Sequence, residues 1–502
     1  MSSAAHGRFV SSRSLLRIAF WFVLLAAASY TTADPDLWGH LRFGLDILRD
    51  GTVATVDPYS FGADLPWVNH EWGSEVITAS AFTLGGSPGL VLLKVAMLGV
   101  VLALLLSSLR ERGVDASVDR DVLAAIAVLG TMEQTHHVRP QLFSIVCFSV
   151  FLWSLTATGR RARWGFWIIP AVFLLWANLH GGWMVGGAVL GVWVVGLVFN
   201  GRRSDAMWYA VAGAAALAGT LVTPYGFGLW RFLYETVGFG RADIIEWQPV
   251  YALTWDAWAR WASILGVGIA GLAATRRTER RLEVIGVVAA LAFASFMVVR
   301  LLAFFTLSVL YLFGPALSRK YQAMRTARVS MPLPPWRMRL IASAAAVTIA
   351  FAASLSAANA MQVRIDPRHT PETDAVEFLR SQPGSQRLLV WFDWGEYAIW
   401  HLSPAMRVSI DGRRETVYSS RVQDEHLRFF FDAPGGAALP YTLAADYIWI
   451  PRELPAARRL DAEGWRKCYE GPTSVIFARA GLNVTPPRPV LTATAASVFP
   501  GP

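Results

Sequence analysis

Apolar residues in this chain fall into long, nearly uninterrupted blocks that recur between residues 15 and 358. Bilayer hydrocarbon is about 30 Å thick, and a helix needs roughly 20 mainly apolar residues to cross it. The pattern predicts spans at 15–30, 89–109, 122–132, 142–156, 164–178, 183–199, 206–222, 258–273, 282–298, 301–317 and 340–358. Residues 74–84 form one more short apolar helix, crossing or not, so about 11 to 13 helices are expected. The fold class is a polytopic α-helical membrane protein. In the loop after the first span, Leu37, Leu41, Leu45 and Leu48 share one helical face while Arg42, Asp46 and Arg49 lie elsewhere. That periodicity predicts a helix lying along the bilayer surface.

Past residue 360 the long blocks stop. Helical patterns at 371–380, 395–402, 421–431 and 455–463 alternate with strand patterns at 387–392, 407–410, 447–450 and 474–478. Thr370 stands where it would cap the first of these helices, with Pro371 at its first position. Alternation of this kind predicts a small α/β domain with a largely parallel sheet. The expected division is a transmembrane domain at 1–360 with its first outer loop at 31–73, a soluble domain at 361–480, and a flexible tail at 481–502.

Composition agrees: 54% of the 502 residues are hydrophobic and 16% charged, and 22 tryptophans suit membrane interfaces. The net charge of +9 comes from short basic clusters between apolar blocks, as cytoplasmic loops require, and nucleic acid is not an expected partner. The clusters are Arg110 and Arg112, Arg160-Arg161-Ala162-Arg163, Arg202-Arg203, residues 276–281 and residues 318–339. All fall on the side of the N-terminus if 74–84 does not cross. The loops 31–73 and 223–257 and the C-terminal domain are then extracytoplasmic, in a bacterial inner membrane. Arg8, Arg13 and Arg17 before an apolar stretch, with Thr31-Thr32-Ala33 after it, resemble a signal peptide. The many spans that follow favour an uncleaved first helix. Two cysteines, Cys147 and Cys468, make no disulfide framework or cysteine metal site.

The first outer loop holds the densest candidate chemistry: Asp34, Asp36, His40, Asp57, His70 and Glu71, with Glu75 just beyond. Carboxylates two apart beside histidines can supply a general base and its partner; the bland reading is a set of turns and helix caps. Arg139, His180 and Arg300 stand at the ends of spans, where ionisable groups usually line a polar cavity. A guanidinium there matches the oxygens of a lipid phosphate; the bland reading is an interfacial anchor. Asp411-Gly412-Arg413 is as well explained by a strand-to-loop turn as by a site. Phosphate-loop, nucleophile-elbow and zinc-helix signatures are missing from the sequence.

Asp34-Pro35-Asp36 at the end of the first helix, the surface helix, and His70-Glu71-Trp72 before the next apolar helix resemble the large bacterial GT-C-type membrane glycosyltransferases. Trp391-Phe392-Asp393-Trp394-Gly395-Glu396-Tyr397 and Ile410-Asp411-Gly412-Arg413 resemble the extracytoplasmic domain of other members. The resemblance implies hexosyl or pentosyl transfer in cell-envelope glycan biosynthesis. Its donor would be a polyprenyl-phosphate-linked sugar held among membrane lipids, and its acceptor is open. Asp36 or Asp34 would be the catalytic base, and His40, Asp57, His70, Glu71, Arg139, His180 and Arg300 would bind substrate. A divalent metal ion is a further candidate for stabilising the departing phosphate. Members often carry adjacent acids, whereas Pro35 separates Asp34 from Asp36 here and leaves open which is the base. The alternatives are a non-enzymatic transporter or flippase of lipid-linked or glycan substrates, and an assembly protein whose outer domain binds a partner.

Overall fold

The computed structural model describes residues 12–158, 162, 164–236, 244–326, 334–367, 370–486 and 498–501. Arg8, Arg160, Arg161, Arg163, Arg241, part of the 318–339 segment and most of the 481–502 tail lie outside these residues. The membrane part comprises α1 (Ser12–Ser29), α2 (Leu37–Asp50), α3 (Trp72–Glu111), α4 (Ser117–Thr135), α5 (Gln141–Leu155), α6 (Gly165–Ala177) and α7 (Trp183–Phe199). It continues with α8 (Arg203–Gly219), α9 (Phe227–Thr236), α10 (Trp255–Ala274), α11 (Leu282–Met297), α12 (Leu302–Thr326) and α13 (Pro335–Ala360). Four described segments are long and apolar enough to cross a membrane alone: Trp72–Glu111, Trp255–Ala274, Val299–Arg325 and Pro335–Ala360. Shorter apolar helices pack between them, and α12 runs through the middle with Phe305, Leu307, Val309, Leu310 and Tyr311 fully enclosed.

The ambiguous stretch 74–84 is the first part of α3. The helix breaks at Gly86 (φ 57°, ψ −145°), a backbone state open to glycine and strained for other residues, with Pro88 following. Before the break, Gly73 N–H donates to the Asn178 carbonyl (3.0 Å), and Phe82 packs on Trp400 of the C-terminal domain (5.8 Å). After it, Ser87 Oγ donates to the Phe499 carbonyl (2.8 Å). Both ends of this stretch therefore stand on the membrane face that carries the C-terminal domain, and it does not cross. The rest of α3, with α1, α4–α8 and α10–α13, leaves eleven described helices in the membrane part. Described members of the basic clusters meet at the opposite face, where Arg202 pairs with Glu283 (3.1 Å) and Arg319 with Glu279 (2.6 Å).

The C-terminal domain contains α14 (Thr373–Arg380), β1 (Gln386–Val390), α15 (Gly395–Leu402), β2 (Met406–Val408), α16 (Ser420–Phe430), α17 (Leu439–Thr442), β3 (Tyr447–Pro451), α18 (Pro455–Ala462), β4 (Arg466–Glu470) and β5 (Ser474–Ala478). The strand order is β2-β1-β3-β5-β4. β1 is parallel to β2 and β3, but β5 is antiparallel to both β3 and β4, so the sheet is mixed and not largely parallel. The difference comes from β4, whose polar, mostly exposed residues hid it in the sequence; its short connection to β5 allows only an antiparallel hairpin. Glu372, not Thr370, occupies the N-cap position of α14.

The first loop and the C-terminal domain share one core. Residues 59–61 bridge to Val408, with Val408 N–H donating to the Tyr59 carbonyl (3.1 Å) and Phe61 N–H to that of Val408 (3.0 Å). Helix α2 does not lie free on the bilayer. Leu37, Trp38, Leu41 and Phe43 are buried together with Tyr397, Ile399 and Ile410 of the C-terminal domain, while Leu48 is exposed. The end of the chain is docked as well: Phe499 is buried against Trp38 (5.0 Å) and Phe82 (5.9 Å), and Trp38 Nε1 donates to the Pro500 carbonyl (2.8 Å).

Candidate functional site

Two groups of acids line the seam between the first loop and the C-terminal domain. The first contains Asp57. Its carboxylate accepts the backbone N–H groups of Tyr59 (2.9 Å) and Ser60 (3.2 Å) and both ends of the Arg413 guanidinium (2.8 Å each). Arg413 also donates to Asp411 (2.6 and 2.8 Å), which accepts from Tyr418 Oη (2.7 Å). The guanidinium lies within 4.8–5.4 Å of the rings of Phe43, Tyr59 and Trp67. Asp57 was expected to bind substrate; it is instead closed into a fork-shaped ion pair that joins the two parts of the molecule. Asp411 and Arg413 belong to the same lock.

The second group brings together Asp34, Asp36, His40, His70, Glu71, Arg139, His180 and Arg300. Asp34 is fully buried, accepts the Asp36 N–H (2.8 Å) in a turn that leads into α2, and is ion-paired with Arg139. Arg139 also donates to Glu246, on the short turn Ile245–Trp247. The other Glu246 oxygen lies 3.6 Å from Arg300. Arg300 stands over the Trp247 ring (5.3 Å), and the Gln141 carboxamide, with its oxygen turned inward, accepts from its Nε (3.1 Å).

Glu71 holds the N-cap position of α3, 3.5 Å from His180 Nε2 and 3.7 Å from His70 Nε2. Burial alone would raise its pKa, but His70, His180, His40 and Arg300 outweigh burial and lower it. His180 Nδ1 accepts from Gly182 N–H (3.0 Å) and pairs with Ser144 Oγ (2.6 Å). A neutral ring must then carry its proton on Nε2, facing Glu71. Burial pushes this imidazole down to about 3, so it is neutral at physiological pH.

His40 lies on the inner face of α2, its Nδ1 3.2 Å from Glu75 Oε1, while Asn69 donates to the other Glu75 oxygen (2.6 Å). Burial opposes its charge, yet the Glu75 bond and the charges of Glu71, Glu75 and Asp36 hold its pKa up at about 9. Asp36 is the opposite case. Burial pushes it up to about 6; His40 pulls it down, while Asp393, Glu246 and Glu71 add to the rise. It occupies the N-cap position of α2 without capping the helix through its side chain.

Three acids of this group were not among the site residues expected from sequence: Glu75, Glu246 and Glu396. Glu75 and Glu246 orient His40, Arg139 and Arg300. Glu396, at the start of α15, is buried, and its Oε2 has no hydrogen-bond partner among the described residues. Its only signal was its place in the aromatic motif 391–397. Among the described residues no group of three or more His, Cys, Asp or Glu is arranged to hold a metal ion. The residues present therefore do not form a set that fits the divalent metal considered from sequence.

Helices alternating between two faces, a broken helix and a surface helix after the first span, and a small domain seated on them form an architecture shared with solved membrane glycosyltransferases. Among solved structures the chain is similar to ArnT from Cupriavidus metallidurans bound to undecaprenyl phosphate (TM-score 0.55, 13% identity, 93% of this chain and 98% of that one). It is similar also to the apo state of that protein (0.54, 13%, 92% and 97%) and to the arabinofuranosyltransferase AftD from Mycobacteria (0.50, 16%, 95% and 42%). At these identities the likeness is one of fold. No family model and no curated protein matches the sequence. The chain is an integral membrane protein.

Proposed function

We propose that this chain is a membrane glycosyltransferase that moves a sugar from a polyprenyl-phosphate-linked donor to an acceptor hydroxyl on the extracytoplasmic face of a bacterial inner membrane. The bound undecaprenyl phosphate of ArnT supports that donor class. The observation that carries the reading is the gathering of Asp36, His40, Glu246 and Arg300 in one cluster at the membrane face, where the surroundings hold the Asp36 carboxyl up at about 6. At neutral pH Asp36 is mainly a carboxylate able to take a proton, and a base positioned for that task contributes about 100- to 10,000-fold.

In this reading Asp36 removes the acceptor's hydroxyl proton as its oxygen bonds to the anomeric carbon. The bond from that carbon to the lipid phosphate breaks, and the phosphate keeps the electron pair. Arg300 receives the phosphate: Glu246 sits at 3.6 Å and the neutral Gln141 accepts from its Nε, so among the described residues no close carboxylate neutralises it. Arg139 is committed to Asp34 and Glu246 and holds that wall of the site in place. Asp34 is thereby a positioning residue and Asp36 the base. The charged His40 and Arg300 help keep Glu71 ionised, and the neutral His180 turns its Nε2 proton toward it.

The test compares lipid-linked sugars and surface glycans in cells with and without the gene, complemented by wild type or by Asp36→Asn. Accumulation of a lipid-linked sugar with loss of a surface glycan, rescued by wild type alone, is the expected result. Unchanged pools of both overturn the reading.

A further inference from the structure

Asp36 and Glu396 come from segments 360 residues apart in sequence and meet across the seam. Gly412 separates them: a Cβ there would lie 2.3 Å from Asp36 Oδ1 and 3.0 Å from Glu396 Oε1, so both oxygens border one methyl-sized hollow. On the other side a Cβ at Gly39 would strike Glu396 Oε2 at 2.0 Å. Two glycines thus let the two carboxyls approach. The place in the sheet is equally particular. From β1 the chain order leads to β2 on one side and β3 on the other, and ligands of open α/β sheets gather outside the strand ends at such a switch point. Glu396 follows β1 there, and Asp411 follows β2.

We infer that the C-terminal domain completes the site by supplying Glu396 as a protonated carboxyl that donates to Asp36 and fixes its orientation. Every charged group facing the pair bears on where the proton sits. Toward Glu396 turn Asp36, Asp411 and Glu75, with Arg413 opposing them; burial is the largest influence, and the carboxyl is raised well above its usual range. Toward Asp36 turn His40 as a cation and Asp393, Glu246 and Glu71 as acids. His40 stands by Asp36 as a cation, whereas the Arg413 that faces Glu396 is already bound to Asp57 and Asp411, so the charge rests on Asp36 and the proton on Glu396. Two ionised carboxyls at this spacing would repel, which is how one carboxyl of a close pair comes to retain a proton. Glu396 is a positioning residue, and the site is incomplete without the domain that carries it. This inference rests on Asp36 being the base, but its primary readout does not.

Infrared spectra of the purified full-length protein in lipid nanodiscs test it. At pH 8 exposed carboxyls are ionised, so a carbonyl stretch of a protonated carboxyl reports a buried acid. Wild type should show such a band, Glu396→Gln should lose it, and Asp36→Asn should keep it. A wild-type spectrum without the band, or a band untouched by Glu396→Gln, overturns the inference. If Glu396→Gln does not fold, Gly412→Ala takes its place: its methyl parts the two carboxyls and should shift the band, and an unshifted band overturns the proposal. A band that behaves as expected alongside full transfer activity in Asp36→Asn would leave the pair standing and remove Asp36 as base.

Discussion

The two acid groups along the seam are built from the same residue types and differ in how completely they are answered. In the Asp57–Arg413–Asp411 lock the carboxylates meet backbone N–H groups, a tyrosine hydroxyl or a guanidinium, and the cation is wrapped in aromatic rings. In the Asp36 group the acids outnumber the cations: Asp34, Asp36, Glu71, Glu75, Glu246 and Glu396 face Arg139, Arg300 and a charged His40. One group is closed on itself and shapes the fold. The other holds unspent charge, and perturbed carboxyls gather where charge must change during chemistry.

That contrast breaks most directly at Asp36. Asp36→Asn keeps the shape and removes the base, so transfer should fall about 100- to 10,000-fold while thermal unfolding of the purified protein stays where it was. Parallel loss of activity and stability would make Asp36 part of the fold. Arg413→Leu should do the reverse, stranding Asp57 and Asp411 without their cation. Removing one partner of a buried pair costs roughly 3–5 kcal/mol, which thermal unfolding and protease release of the C-terminal domain would register. An unchanged melting curve would deny the lock.

Arg300→Lys keeps a charge but not the fork. A loss of about 10- to 100-fold in transfer is expected, the worth of a hydrogen bond to a charged group, and a fully active Lys variant would argue against a forked phosphate contact. The pH profile sharpens the same point with a smaller effect. The base must be ionised, so the rate should fall as pH drops through about 6, the Asp36 value, and hold just above it. A limb near the ordinary carboxylate range would place the base elsewhere. Smallest of all, Asp57→Asn should leave transfer per folded molecule unchanged, with only a stability loss of roughly 1–3 kcal/mol from the weakened pair with Arg413.

The membrane class was legible in the sequence because burial in lipid demands long apolar blocks, and no folding detail can hide them. Asp36, His40, Glu71 and Arg300 stood out for a related reason: ionisable groups at the ends of such blocks are expensive and conspicuous. The soluble domain was read less well. Strand β4 was missed because an edge strand with polar side chains lacks the alternation that marks a half-buried one. Asp57 was misjudged because the arginine that answers it lies 356 residues away, and no local pattern announces such a pairing.

By itself, the sequence determined the spans, their basic flanks and the presence of acids at the membrane surface, since these follow from transfer of single segments between water and lipid. Only the tertiary structure decided which acids are spent and which are free. It turned residues 74–84 along the membrane face at Gly86, folded α2 beneath the C-terminal domain, and brought Glu396 against Asp36 through two glycines. A carboxyl's chemistry depends on what lies within a few ångströms of it, and for a buried acid those neighbours are set by packing between distant parts of the chain.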